Sequence, residues 1–295
     1  MQFRRIIVAA WLFATTLAAQ AQALLYPQHF NLSEVTLLDS PFRTARDLNN
    51  HTLLAYDADR LMAPFIRQAG LDKQAGKYQG WLDKHPSFTN WGLSNWSLEG
   101  HVGGHYLTAL ALAYASLNHE GASTEEQAVR QQLKERLDYC LNILHDCQEA
   151  YANDATGLKG FIGGQPLNDM WRKLYRGDTS AYTQFGGWVP LYCQHKVLAG
   201  LRDAYLYAGS LKAKEMFRSL CDWTIEVVNR YNNIENLLNS EHGGVNETLA
   251  DAYALFGDDK YLEGAKKYCH QQMINGMANY NTTFLNNKLG CQVCV

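Results

Sequence analysis

The chain has 295 residues, 47% of them hydrophobic and 19% charged, with a formal net charge of -3. That balance suits a globular domain with a core of ordinary size and excludes a polyanion-binding surface, so nucleic acid is not an expected partner.

In chain order, residues 1–23 join Arg4 and Arg5 to an apolar run over 6–19 and end in Ala19-Gln20-Ala21 and Ala21-Gln22-Ala23. A basic start, a short apolar core and an Ala-Xaa-Ala site predict a secretory signal peptide and an exported, periplasmic or extracellular protein. No later stretch is apolar for around twenty residues, so no membrane span is expected.

Val35-Thr36-Leu37-Leu38 reads as a short strand, and Ser40-Pro41 opens a helix over about 42–54. The run 57–62 adds one or two turns. Residues 70–95 mix glycines with Tyr78, Trp81, Phe88, Trp91 and Trp96, a loop of aromatic faces that can stack on sugars or pack on the helices beneath.

The stretch from Trp96 to Leu117 places Glu99, His101 and His105 at the mouth of an Ala/Leu-rich helix. Gly103 and Gly104 would each cost about 1 kcal/mol inside a helix relative to alanine, which predicts a helix start near His105. His101 and His105 have a two-histidine metal spacing, but Val-Gly-Gly stands where a metalloprotease helix carries glutamate, so capping or substrate contact is the better reading.

The pattern then repeats. Helices are expected over 105–116 and 124–146, over 195–208 and from 210 through Trp223, and over 246–256 and from 259 through Cys269. Tyr205 and Tyr253, 48 positions apart, each close the first helix of a pair. Repeated hairpins with long loops at one end predict an all-α, helical-hairpin architecture of the (α/α)6-toroid type. First helices opening at His105, His195 and Glu247 would aim those residues at one centre. Glu247 and Asp251 form a possible carboxylate pair, although carboxylates four apart are commonly a solvated face.

Seven cysteines in an exported chain leave at least one unpaired. Cys140 and Cys147 lie about 10 Å apart along one helix, too far to bridge, and most cysteines read as small buried hydrophobes. Cys291 and Cys294 form a CxxC with no second pair.

Asp39-Ser40-Pro41-Phe42, Asp57-Ala58-Asp59-Arg60-Leu61, Ala69-Gly70-Leu71, Tyr78-Gln79-Gly80-Trp81, Gly100-His101-Val102-Gly103-Gly104-His105-Tyr106-Leu107, Tyr192-Cys193-Gln194-His195-Lys196 and Gly243-Gly244-Val245-Asn246-Glu247 follow in an order that resembles glycoside hydrolase family 127 and its relative family 146. The resemblance covers about residues 30–286 and implies an (α/α)6 β-L-arabinofuranosidase domain acting on arabinose-containing plant glycans. It places His195, Glu247, His105 and His101 as substrate-binding residues.

The family's nucleophile is a cysteine thiolate on zinc, held by a Glu-Xaa-Cys and a later Cys-Cys pair, with a glutamate as acid/base. Neither cysteine motif occurs in this chain. The resemblance therefore implies that the cysteine nucleophile and acid/base glutamate lie beyond residue 295, that this chain holds no zinc, and that it is a truncated, incomplete toroid inactive alone. Residues 287–295 read as a divergent tail after a 24–286 domain. Two other readings stay open: another (α/α)-toroid hydrolase or lyase working through His and Glu, and a non-catalytic secreted sugar-binding module.

Overall fold

The computed structural model of the chain describes residues 30–88, 98–165, 168–178, 180, 190–240 and 244–281. The segment 1–23 expected to be a signal peptide, Trp91, Trp96, Cys291, Cys294 and the tail 287–295 lie outside the described residues. The described secondary structure is helical throughout, as the hairpin repeat predicts.

The helices are α1 Pro41–Ala55, α2 Ala58–Gln68, α3 Trp81–Lys84, α4 His101–Ser116, α5 Thr124–Glu149, α6 Asn168–Tyr175, α7 Pro190–Ala208, α8 Leu211–Asn229, α9 Glu235–Ser240, α10 Val245–Phe256, α11 Asp259–Lys267 and α12 Gln271–Ala278. Val35 to Leu38 is not a strand. The Val35 N–H closes a short turn onto the Leu32 carbonyl at 3.3 Å, and Val35 and Leu38 are exposed. An alternating pattern without a neighbouring strand has nothing to pair with. Helix α2 runs past Pro64 to Gln68 because residues 61–66 are all buried, and that packing outweighs the lost backbone hydrogen bond.

Two layers follow from the hairpin repeat. Helices α4, α7 and α10 stand side by side, and each packs against its own second helix, α5, α8 or α11, which also contact along the outside. Helices α1 and α2 close one end against α4 and α5. Tyr205 and Tyr253 sit three residues before the ends of α7 and α10, so the repeat is structural. The core between the layers includes Leu107, Leu110, Leu137, Leu144, Leu198, Leu201, Phe217, Leu220 and Leu249. Cys140, Cys147 and Cys221 belong to it as free, buried thiols.

The described rings of the aromatic loop after α2 pack against the protein. The Tyr78 hydroxyl donates to Asp146 Oδ2 at 2.5 Å, Trp81 Nε1 donates to the Asp59 carbonyl at 3.2 Å, and Phe88 lies under the Arg60 guanidinium at 3.9 Å. From the long connection between α5 and α7, Phe161 and Trp171 interlock with Trp223 of α8. Trp223 Nε1 donates to the Gly157 carbonyl at 2.8 Å.

Helix α5 opens on a capping box: Ser123 Oγ accepts from the Glu126 N–H at 3.1 Å, and the Glu126 carboxylate accepts from the Ser123 N–H at 2.9 Å. That backbone hydrogen bond, with Arg46 at 2.6 Å, lowers the Glu126 carboxyl to about 2. Ser123→Ala should cost about 1 kcal/mol, read as a lower denaturant midpoint with unchanged slope.

Candidate active site

Helix α4 begins at His101, four residues before the expected start, and Gly103 and Gly104 lie within it. Their low helix propensity is outweighed by contacts that only glycine permits. A Cβ on Gly104 would lie 2.2 Å from the Lys196 carbonyl of α7, and one on Gly200 would lie 2.5 Å from the Gly104 carbonyl oxygen. The backbones of α4 and α7 therefore touch, one turn from His105 and beside His195. Gly100, at φ +97°, turns the chain into α4 against Gly164. Gly244, at φ +68°, turns it into α10, and its hydrogen faces the His195 ring where a Cβ would stand 3.0 Å away.

These turns gather a polar cluster from three helices. His195 Nε2 is 3.1 Å from Glu247 Oε2, and Lys196 Nζ is 3.0 Å from His195 Nδ1. An ammonium can only donate, so Nδ1 accepts and the proton sits on Nε2, facing Glu247. Arg202 Nη1 donates to Glu247 Oε1 at 3.2 Å and also to Asp251 Oδ2. Arg202 Nε donates to Asp203 Oδ1 at 2.9 Å, and Asp203 Oδ2 accepts from the Thr108 hydroxyl at 2.7 Å. Through Arg202 and Asp203, helices α4, α7 and α10 are tied by charge-assisted hydrogen bonds.

The His101 ring stands edge to face with His105, centroids 5.9 Å apart, and 6.0 Å from Tyr192. His101 Nδ1 donates to the Leu98 carbonyl at 2.6 Å, which in the neutral ring makes Nε2 the acceptor. Desolvation, then the nearby charge of Lys196, lowers the His105 pKa, so this exposed ring is neutral at pH 7. The hydrogen bond from His195, then Arg202, holds the Glu247 carboxyl at about 2 despite partial burial. Burial lifts the Asp251 carboxyl above its ordinary value.

The structure thus brings His195 and Glu247 into direct contact and sets His101 and His105 on the adjoining helix. Each of His105, His195 and Glu247 lies inside the first turns of its helix rather than opening it. Asp251 is not on a solvated face: it is 9% exposed and committed to Arg202. Glu99 turns away from the helix mouth to Arg67 and to the Ser87 hydroxyl. Thr108, Lys196, Arg202 and Asp203 went unrecognised as members of the cluster. The adjacent Arg202-Asp203 pair inside an Ala/Leu helix was the available signal, because charges at core positions need partners.

The zinc-thiolate chemistry that the family implies does not fit the described residues. Burial pushes the Cys140 thiol up to about 12 and raises Cys147 and Cys221 as well, whereas a metal-held nucleophile needs a readily formed thiolate. Among the described residues, the three-residue group able to hold a metal is Asp57, Asp59 and His85, without cysteine. No helix of the described residues is long and apolar enough to cross a membrane.

What the cluster offers is three imidazoles, an ammonium and a half-exposed carboxylate. Donors and acceptors thus lie side by side, as hydroxyl-rich ligands require. Comparison with curated proteins gives no match. Comparison with family profiles matches "Beta-L-arabinofuranosidase, GH127 catalytic domain" over residues 34–288. With the two-layer hairpin fold and most of the chain matched, this protein belongs to the GH127 β-L-arabinofuranosidase catalytic-domain family.

Proposed function

We propose that the chain is the sugar-binding part of a β-L-arabinofuranosidase-type glycoside hydrolase acting on arabinose-containing plant glycans. The observation that carries this reading is the His195–Glu247 contact at 3.1 Å, held by Lys196 on one side and Arg202 on the other. Glu247 accepts from sugar hydroxyls, His101 Nε2 does the same, and neutral His105 offers one donor and one acceptor.

Glu247 serves binding rather than proton donation. A general acid must hold its proton near neutral pH, and a carboxyl at about 2 does not. The nucleophile, the acid/base and any zinc site therefore come from outside the described residues, and the chain alone binds arabinose without hydrolysing its glycosides. The 1–23 segment directs export and is removed after Ala21 or Ala23.

Isothermal titration with L-arabinose tests the reading. Glu247→Gln should weaken binding by roughly 10- to 100-fold, the cost of a charged hydrogen-bond partner. The same variant should alter the pH profile of stability. The folded carboxyl at about 2 lies below its ordinary 4.5, so its contribution is present above pH 4.5 and fades as pH falls toward 2. The stability gap between the two proteins should close over that window. Equal affinities for L-arabinose would overturn the assignment of Glu247.

A further inference from the structure

A separate cavity of about 580 Å³ lies where the ends of α8 and α11 meet the starts of α9 and α12. Its lining is rich in amides: Asn229, Asn232, Asn233 and Gln271, with Glu263 and the half-exposed Cys269. Its lining carries two carboxylates, Glu235 and Glu263, and two ammoniums, Lys266 and Lys267, which balance to no net charge. Lys266 Nζ lies 2.7 Å from Glu263 Oε1, and Lys267 Nζ donates to Asn229 Oδ1 at 2.6 Å. The buried Glu235 takes the Gln272 N–H at 3.1 Å and stands 3.6 Å from His270 Nδ1.

We propose that this cavity is a second carbohydrate site, taking a neutral, hydroxyl-rich glycan segment. The inference uses the glycan substrate class of the proposed function but a different set of residues. An amide has two donor hydrogens and two acceptor lone pairs, so Asn229, Asn233 and Gln271 keep capacity beyond the one bond each makes within the protein, which matches a hydroxyl that both donates and accepts. A lining without net charge offers no overall attraction to an anion or a cation, whereas a neutral polyol needs none. The volume falls in the range of small-ligand sites. The cavity also adjoins the polar cluster: Asn246, the residue before Glu247, donates its amide to Cys269 Sγ at 3.6 Å. One glycan reaching both sites would be held at two points, raising its effective concentration at Glu247.

Cys269 supplies the readout. The purified chain is alkylated with iodoacetamide with and without L-arabinose or an arabino-oligosaccharide, and labelling is followed at the Cys269 peptide by mass spectrometry. At ten times the dissociation constant, sugar should slow Cys269 labelling about tenfold. The protection should persist in Glu247→Gln. It should be lost in Asn232→Leu, whose exposed side chain is replaced, with Asn232→Ala as the second variant and a thermal melt confirming the fold of both.

Unchanged labelling with saturating sugar overturns the proposal. So does protection that survives both Asn232 variants, or that disappears in Glu247→Gln. Binding that depends on Glu247 while Cys269 stays unprotected removes the cavity site and leaves the proposed function standing. Protection at Cys269 with affinity indifferent to Glu247 does the reverse.

Discussion

Replacing Arg202 with leucine should destabilise the protein by about 3–5 kcal/mol, the cost of removing one partner from a buried ion pair. Arg202 is 8% exposed, and the change strands Asp203, 4% exposed, and Asp251, 9% exposed. Helices α7 and α10 lose their tie, because Arg202 bonds both carboxylates and Glu247. The pH dependence identifies the cause. Burial already lifts the Asp251 carboxyl, so acidification should neutralise the stranded Asp251 and shrink the deficit as the pH falls from neutral toward the ordinary carboxylate range. Denaturant unfolding of Arg202→Leu and wild type at neutral and at acidic pH measures this. A deficit under about 1 kcal/mol, as for exposed pairs, would mean that the network carries little.

Gly104→Ala should destabilise, although alanine is favoured over glycine in a helix interior by about 1 kcal/mol. The added Cβ would stand 2.2 Å from the Lys196 carbonyl carbon and oxygen and 2.6 Å from the Val197 nitrogen. Those are backbone atoms of a packed helix, so α4 and α7 must separate. Overpacking of this kind costs about 1–3 kcal/mol and occasionally more. Moving α7 also moves His195 away from His105, so L-arabinose affinity should fall together with stability. A stabilised variant would show that the two backbones are not in contact, and the sign alone decides.

The hairpin boundaries were legible in the sequence because their causes are local. Ser123 with Glu126 announces α5, Gly257 closes α10, and the apolar periodicity of α7 and α8 sets their lengths. The start of α4 was not legible. Whether these glycines break a helix or allow one to pack depends, for Gly103, on Phe65 and, for Gly104, on Lys196 and Gly200, more than ninety residues later. Val35 to Leu38 failed for the opposite reason: an extended stretch becomes a strand only if a partner lies beside it. At the site, His195 and Glu247 could be singled out because each stands near the start of a repeated helix. The partners that orient them could not, because Arg202 and Asp251 acquire their meaning from a contact across 49 positions.

The central claim is that the cluster of α4, α7 and α10 binds an arabinose unit through its imidazoles. The most direct measurement is an NMR titration of the histidine side chains with L-arabinose near pH 7, with His101→Gln, His105→Gln and His195→Gln assigning the signals. The account predicts saturable shifts at His101, His105 and His195, and none at His51 or His145, which lie on other helices. Binding that leaves those three rings unmoved, or no binding at all, would contradict it.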